Sequence, residues 1–117
     1  MFATNFAKYA CVGDSISCDV GNYTFVARIE RDDYSNVNDF ECYSKEQIKD
    51  WKSDRWFFCG IVLSCSYNGI SLECNESLWG IECNLSDNND YLMEVANELL
   101  NDYNKEDVLL AMRNALR

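Results

Sequence analysis

Residues 56–73 read WFFCGIVLSCSYNGISLE, and this stretch decides the fold. From Trp56 to Tyr67 nearly every side chain is apolar or small, with aromatic and β-branched types well represented, so the run reads as one long strand. Asn68-Gly69 follows, two residues that tolerate positive φ, and this is the strongest hairpin signal in the chain. Ile70 to Glu73 is then the returning strand. Leu78 to Asn84 reads as another strand, or as the same one resumed after a bulge at Asn75-Glu76-Ser77. Upstream, Ser15 to Val20 and Tyr23 to Arg31 carry β-branched and aromatic residues in partial alternation, joined at Gly21-Asn22.

Helices flank these strands. Ser44-Lys45-Glu46-Gln47 has the form of a capping box, with Tyr43 and Ile48 placed as a hydrophobic staple. A helix is therefore expected from Ser44 to about Ser53, with Ile48 and Trp51 facing inward. A second helix is expected from Ser86 or Asp87 to about Asp102, because Leu92, Val95, Ala96, Leu99 and Tyr103 recur at helical spacing. Asn104 would cap a third, with Asp107 at N3, Val108, Leu109, Met112 and Leu116 on its apolar side and Arg113 and Arg117 in its last turn. The resulting order predicts an α+β fold. An antiparallel sheet of about four to five strands carries helices on one face, and two helices close the chain. The 117 residues contain no proline and no linker-like segment, so residues 1–117 are expected to form a single domain.

Charge is distributed unevenly. Twenty Asp and Glu face ten Lys and Arg, giving net charge −10. Between Trp56 and Asn104 there is no Lys or Arg at all, while Glu73, Glu76, Glu82, Asp87, Asp90, Glu94, Glu98 and Asp102 all fall there. Asp90, Glu94, Glu98 and Asp102 stand at i, i+4 spacing, which on a helix makes one row of carboxylates about 6 Å apart along the axis. Like charges so placed destabilise a helix by roughly 0.2–0.5 kcal/mol per pair. Asp102 near the C-terminus is also disfavoured by the helix dipole. Stability alone would not select this row, although a solvated acidic face is the common outcome of such runs. A second acidic group, Asp32, Asp33, Asp39 and Glu41, has Tyr34 and Phe40 between its members, a mixture suited to a protein interface.

These features exclude several classes. Nucleic acid and anionic membranes both call for a basic footprint, so neither is expected as a direct partner. No run approaches the roughly 18 apolar residues of a membrane span, and the N-terminus lacks the basic and apolar regions of a secretory signal, so a cytoplasmic location is expected. The chain has no His, and its seven Cys include no C-x-x-C pair, so no zinc site and no cysteine–histidine nucleophile is expected. Free, mostly buried thiols are expected instead. Asp87-Asn88-Asn89-Asp90 lacks the glycine and spacing of an EF-hand loop, and no phosphate-cradling glycine motif occurs. No catalytic residues, metal ligands or cofactor are assigned from the sequence. Gly60 and Gly80, isolated in strand-like runs, point to bulges or close packing, and Trp51, Trp56 and Trp79 to the core or its edge.

Three segments, WKSDRWFFCGIVLS (Trp51–Ser64), SLWGIEC (Ser77–Cys83) and YLMEVANELL (Tyr91–Leu100), resemble small acidic proteins carried by phages, prophages and plasmids. In size and charge the chain also resembles phage anti-restriction and anti-CRISPR proteins, several of which imitate DNA. The resemblance implies an inhibitor of a basic, nucleic-acid-binding host protein or ribonucleoprotein complex, acting in the host cytoplasm by charge mimicry and not by catalysis. Asp90, Glu94, Glu98 and Asp102 are the expected contact row, supported by Glu73, Glu76 and Glu82 and by the loop from Asp32 to Glu41. An immunity protein against a nuclease toxin, a small ligand-binding or enzymatic domain, and a structural module of a virion are the alternatives. The sequence leaves oligomeric state open.

Overall fold

The computed structural model describes residues 2–72, 76–85 and 89–103. Five strands, β1 (Ser15–Val20), β2 (Tyr23–Arg31), β3 (Phe57–Tyr67), β4 (Ile70–Ser71) and β5 (Glu76–Cys83), form one sheet. Every pairing is antiparallel. Two α-helices, α1 (Lys45–Lys52) and α2 (Asp90–Asp102), complete the described α+β architecture. The expected helix beginning at Asn104 lies outside the described residues, as does Glu73.

Turn chemistry accounts for the strand order. Asn68 and Gly69 have φ of +48° and +82°, both positive as a type I′ turn demands. β2 is paired along its whole length to Cys59–Tyr67 of β3, while β4 and β5 share the opposite edge of β3. β5 thus continues along the edge that β4 begins, but Glu76 and Ser77, expected in a bulge, pair regularly with Leu63 and Val62, and Asn75 lies outside the described residues. Between β3 and β5 the register slips near Gly60. Cys59 pairs with Ile81 and Ile61 with Leu78, so Trp79 and Gly80 together oppose one residue. Gly80 takes φ of +75° to make that bulge.

Side-chain alternation along β3 separates two cores. Cys59, Ile61, Leu63 and Cys65 join Phe25, Ala27 and Ile29 of β2 beneath Leu92, Val95, Ala96 and Leu99 of α2. The N-terminal segment straps across this helix. The backbone N–H of Phe2 donates to Asn97 Oδ1 at 3.0 Å, and that of Ala10 donates to Asn84 Oδ1 at 2.8 Å. Phe58 points the other way, into a smaller cluster with Val37 and Trp56, against which Tyr43, Ile48 and Trp51 of the α1 region pack. Of the helices expected on one face, α2 therefore holds the main face, and the short α1 gathers around Phe58 on the reverse side. The physical reason is the single-residue alternation between Phe58 and Cys59.

The capping box at Ser44 forms as its sequence suggests: the Gln47 N–H donates to Ser44 Oγ at 3.1 Å, and the Ser44 N–H donates to Gln47 Oε1 at 2.9 Å. Ser44→Ala is expected to cost about 1 kcal/mol in urea unfolding. α2 begins later than the apolar spacing suggests. Asn89 sits at φ of +53°, a left-handed conformation through which a helix does not continue. Its side chain accepts from Asn84 N at 2.7 Å and donates to Lys8 O at 2.9 Å, so it ties three segments together instead of capping the helix.

Candidate functional site

The row on α2 is presented to solvent. Its apolar residues Leu92, Val95, Ala96, Leu99 and Leu100 are buried on the sheet, which turns Asp90, Glu94, Glu98 and Asp102 outward, and all four are exposed. Among the described residues, ion pairs join Arg28, Arg31 and Arg55 to Glu30, Asp33, Asp54 and Asp50, and none reaches α2. These carboxylates have no cation from the described protein to neutralise them.

The described supporting acids Glu76 and Glu82 fall on opposite sides of the sheet, because Glu76 pairs with Leu63 and Glu82 with Phe58. Glu76 is exposed at the start of β5, opposite Leu63. Glu82 pairs with Phe58 and so faces the reverse side, where it is half-buried. There it is hydrogen-bonded to the Tyr43 hydroxyl, and burial together with that bond pushes the Tyr43 pKa well above its ordinary value. Its carboxylate belongs to the packing around α1.

The Asp32–Glu41 loop also lies on the reverse side. Asp32 is a correction to its expected role as a contact residue, for it is 8% exposed and its carboxylate is fully engaged. Oδ1 accepts from the N–H groups of Tyr34 at 2.9 Å and Ser35 at 3.1 Å. Oδ2 accepts from Ser35 Oγ at 2.7 Å and from the N–H of Gly80 at 2.9 Å. Burial would raise the Asp32 pKa, but these hydrogen bonds outweigh it and hold the carboxyl below its ordinary value. The Phe40 ring lies against the smaller cluster, with centroids 5.7 Å from Phe58 and 6.0 Å from Tyr43, while the residue stays 44% exposed. Tyr34, in contrast, is 97% exposed.

The bond from Asp32 to Gly80 brings a residue into this loop that sequence spacing does not associate with it. Trp79 joins Arg31, Asp32, Asp33, Tyr34, Ser35 and Asp39 in lining an open groove of about 510 Å³. Its indole lies against Gly60, where any β-carbon would collide with the ring. The indole N–H donates to Ser77 Oγ at 3.2 Å. The ring is thus held in place while 48% of the residue remains exposed. Gly60→Ala is expected to lift the indole, red-shift its fluorescence and cost about 1–2 kcal/mol, since the ring lies at a sheet edge and has room to move.

The chain matches no family model, and no curated protein or solved structure is significantly similar to it.

Cys59 and Cys83 are buried neighbours, and the hydrogen bond between them, with burial, keeps the Cys59 thiol protonated. Of the six cysteines among the described residues, three are buried and Cys11 and Cys42 are exposed, so burial is less general than composition suggests. Among the described residues no group of three or more metal-ligating side chains is arranged to hold an ion, and no helix is long and apolar enough to cross a membrane.

Proposed function

We propose that this chain is an acidic inhibitor from a phage or other mobile element, which binds a basic nucleic-acid-binding protein or ribonucleoprotein of the host and blocks its nucleic-acid channel. One observation carries the reading. Asp90, Glu94, Glu98 and Asp102 form an exposed row that no cation of the described residues neutralises. A helix tolerates such a row only because its apolar side is anchored on the sheet, and the row's repulsion is relieved when a basic surface covers it. The field of the same four charges steers a cationic partner toward the helix before contact. No catalytic step is needed: occupying the channel excludes the nucleic acid by competition.

Binding of this kind weakens with ionic strength, because the Debye length falls from about 10 Å at 0.1 M salt to about 3 Å at 1 M. The purified chain, immobilised and exposed to nuclease-treated host lysate, is expected to retain a CRISPR, restriction or other nucleic-acid-handling complex at low salt. Release is expected as salt is stepped to roughly 0.5 M. Mass spectrometry identifies what is released. Retention of acidic or neutral proteins alone, or retention indifferent to salt, would overturn the reading.

A further inference from the structure

We infer that the groove between Trp79 and the Asp33–Asp39 loop is a binding site for an arginine side chain of a protein partner. The inference extends the preceding reading, from which it takes only that the partner is a basic protein. It concerns the reverse side of the sheet from the α2 row.

Three properties of the groove select this occupant. The first is charge. Three aspartates against one arginine leave two negative charges on the lining. Arg31 does not fill the groove as an internal cation, because its guanidinium is already held at 3.2 Å by Asp33, at 3.5 Å by Asp54 and 5.8 Å above the Phe57 ring. The second is the aromatic surface. Trp79 and Tyr34 both line the groove and both keep ring area in solvent. Tryptophan is the strongest cation–π partner among the side chains. A guanidinium is planar, weakly hydrated and able to stack, so it suits an aromatic wall with carboxylates at its rim better than a compact ammonium does. The third is preorganisation. Gly60 beneath the indole and Ser77 beside it hold the ring. Asp32 binds the loop to the bulge through Gly80, so both walls are set before a ligand arrives. Asp39 is held too, accepting from the Asn36 N–H at 3.2 Å. A volume of about 510 Å³ admits one long side chain together with its flanking backbone.

The test uses the whole chain and no host partner. Acetyl-Gly-Arg-Gly-amide is titrated into ¹⁵N-labelled protein, with the citrulline peptide, which keeps the shape and loses the charge, and the lysine peptide as comparisons. The Trp79 indole N–H resonance is assigned by its absence from Trp79→Leu. The arginine peptide is expected to shift that resonance and the amides of residues 33–39 saturably, with Kd on the order of 1–10 mM. The citrulline peptide should bind at least tenfold more weakly, and lysine should fall between them. Asp39→Asn, which keeps the acceptor for Asn36, should also weaken arginine binding while leaving the amide spectrum folded. Equal binding of arginine and citrulline, shifts confined to residues 90–102, or no saturable shift would each overturn the site. Failure of the lysate experiment alone removes the inhibitor reading and leaves the arginine site standing. Failure of the titration alone does the reverse.

Discussion

Glu94→Lys together with Glu98→Lys is expected to lower affinity for the basic partner by at least 100-fold while leaving the protein folded. Close charge pairs across an interface couple by about 1.5–7 kcal/mol, and reversal replaces attraction by repulsion at two adjacent positions. Even at the low end, two reversals exceed the roughly 2.7 kcal/mol of a 100-fold change. The fold is insulated for a specific reason. Both residues are exposed, and the native row contains three like-charged i, i+4 neighbours. In the double variant the lysine introduced at position 94 attracts Asp90, the one introduced at position 98 attracts Asp102, and a single repulsive pair remains between the two lysines. Helix α2 should therefore hold or gain stability by circular dichroism, so lost capture cannot be assigned to unfolding. Partner retention equal to the parent chain would end the charge-row reading. Glu94→Gln with Glu98→Gln should fall between the two, because it removes attraction without adding repulsion.

Asp32→Ala is expected to destabilise the protein by about 2–4 kcal/mol, taking hydrogen bonds to a charged acceptor at about 1.5–3 kcal/mol each and allowing water to re-satisfy the surface donors. Against a typical total of about 5–15 kcal/mol this is a large fraction, and it corresponds to a fall of roughly 10 °C in Tm. The carboxylate serves four donors, and the one from Gly80 is the only one of them distant in sequence. Its loss should free the Asp33–Asp39 loop from the β5 bulge and change Trp79 fluorescence. The same residue makes stability depend on pH with a definite sign. A carboxyl whose folded pKa is depressed stabilises the fold above its unfolded value, near 3.9. That contribution is lost as pH falls through the lower folded value. Urea midpoints at pH 6 and pH 3 should differ less in Asp32→Asn than in the parent. An unchanged difference would show that the carboxylate is not the acid-sensitive tie.

Where local chemistry governs, the reading from residue types and the observed elements coincide. Gly21-Asn22 and Asn68-Gly69 turn the chain as small or left-handed-tolerant residues must, and Ser44 with Gln47 starts α1 through reciprocal bonds within four residues. The acidic row was legible for the same reason, since i, i+4 spacing maps onto one side of any helix. The start of α2 was less so. Apolar spacing carries no information about Asn89, whose left-handed backbone is set by contacts with Asn84 and the N-terminal strap.

Asp32 illustrates the limit most clearly. In the sequence it is one acid among several in a polar loop, indistinguishable from Asp33 beside it. Its burial follows from the N–H of Gly80, which the β5 bulge turns toward it and which lies 48 residues away. Trp79 is likewise one tryptophan of three until Gly60, a residue without a side chain on the neighbouring strand, offers it a seat. By itself, then, the sequence determined the strands, their turns, the α1 cap, the α+β class and the outward row on α2, because each depends on residues within one or two turns of one another. The tertiary structure alone decided that α1 and α2 occupy opposite sides of the sheet, that the acids divide between them, and that Trp79 meets Asp33 and Asp39 in one groove. Each of these depends on register and face, which strand pairing settles between segments far apart along the chain.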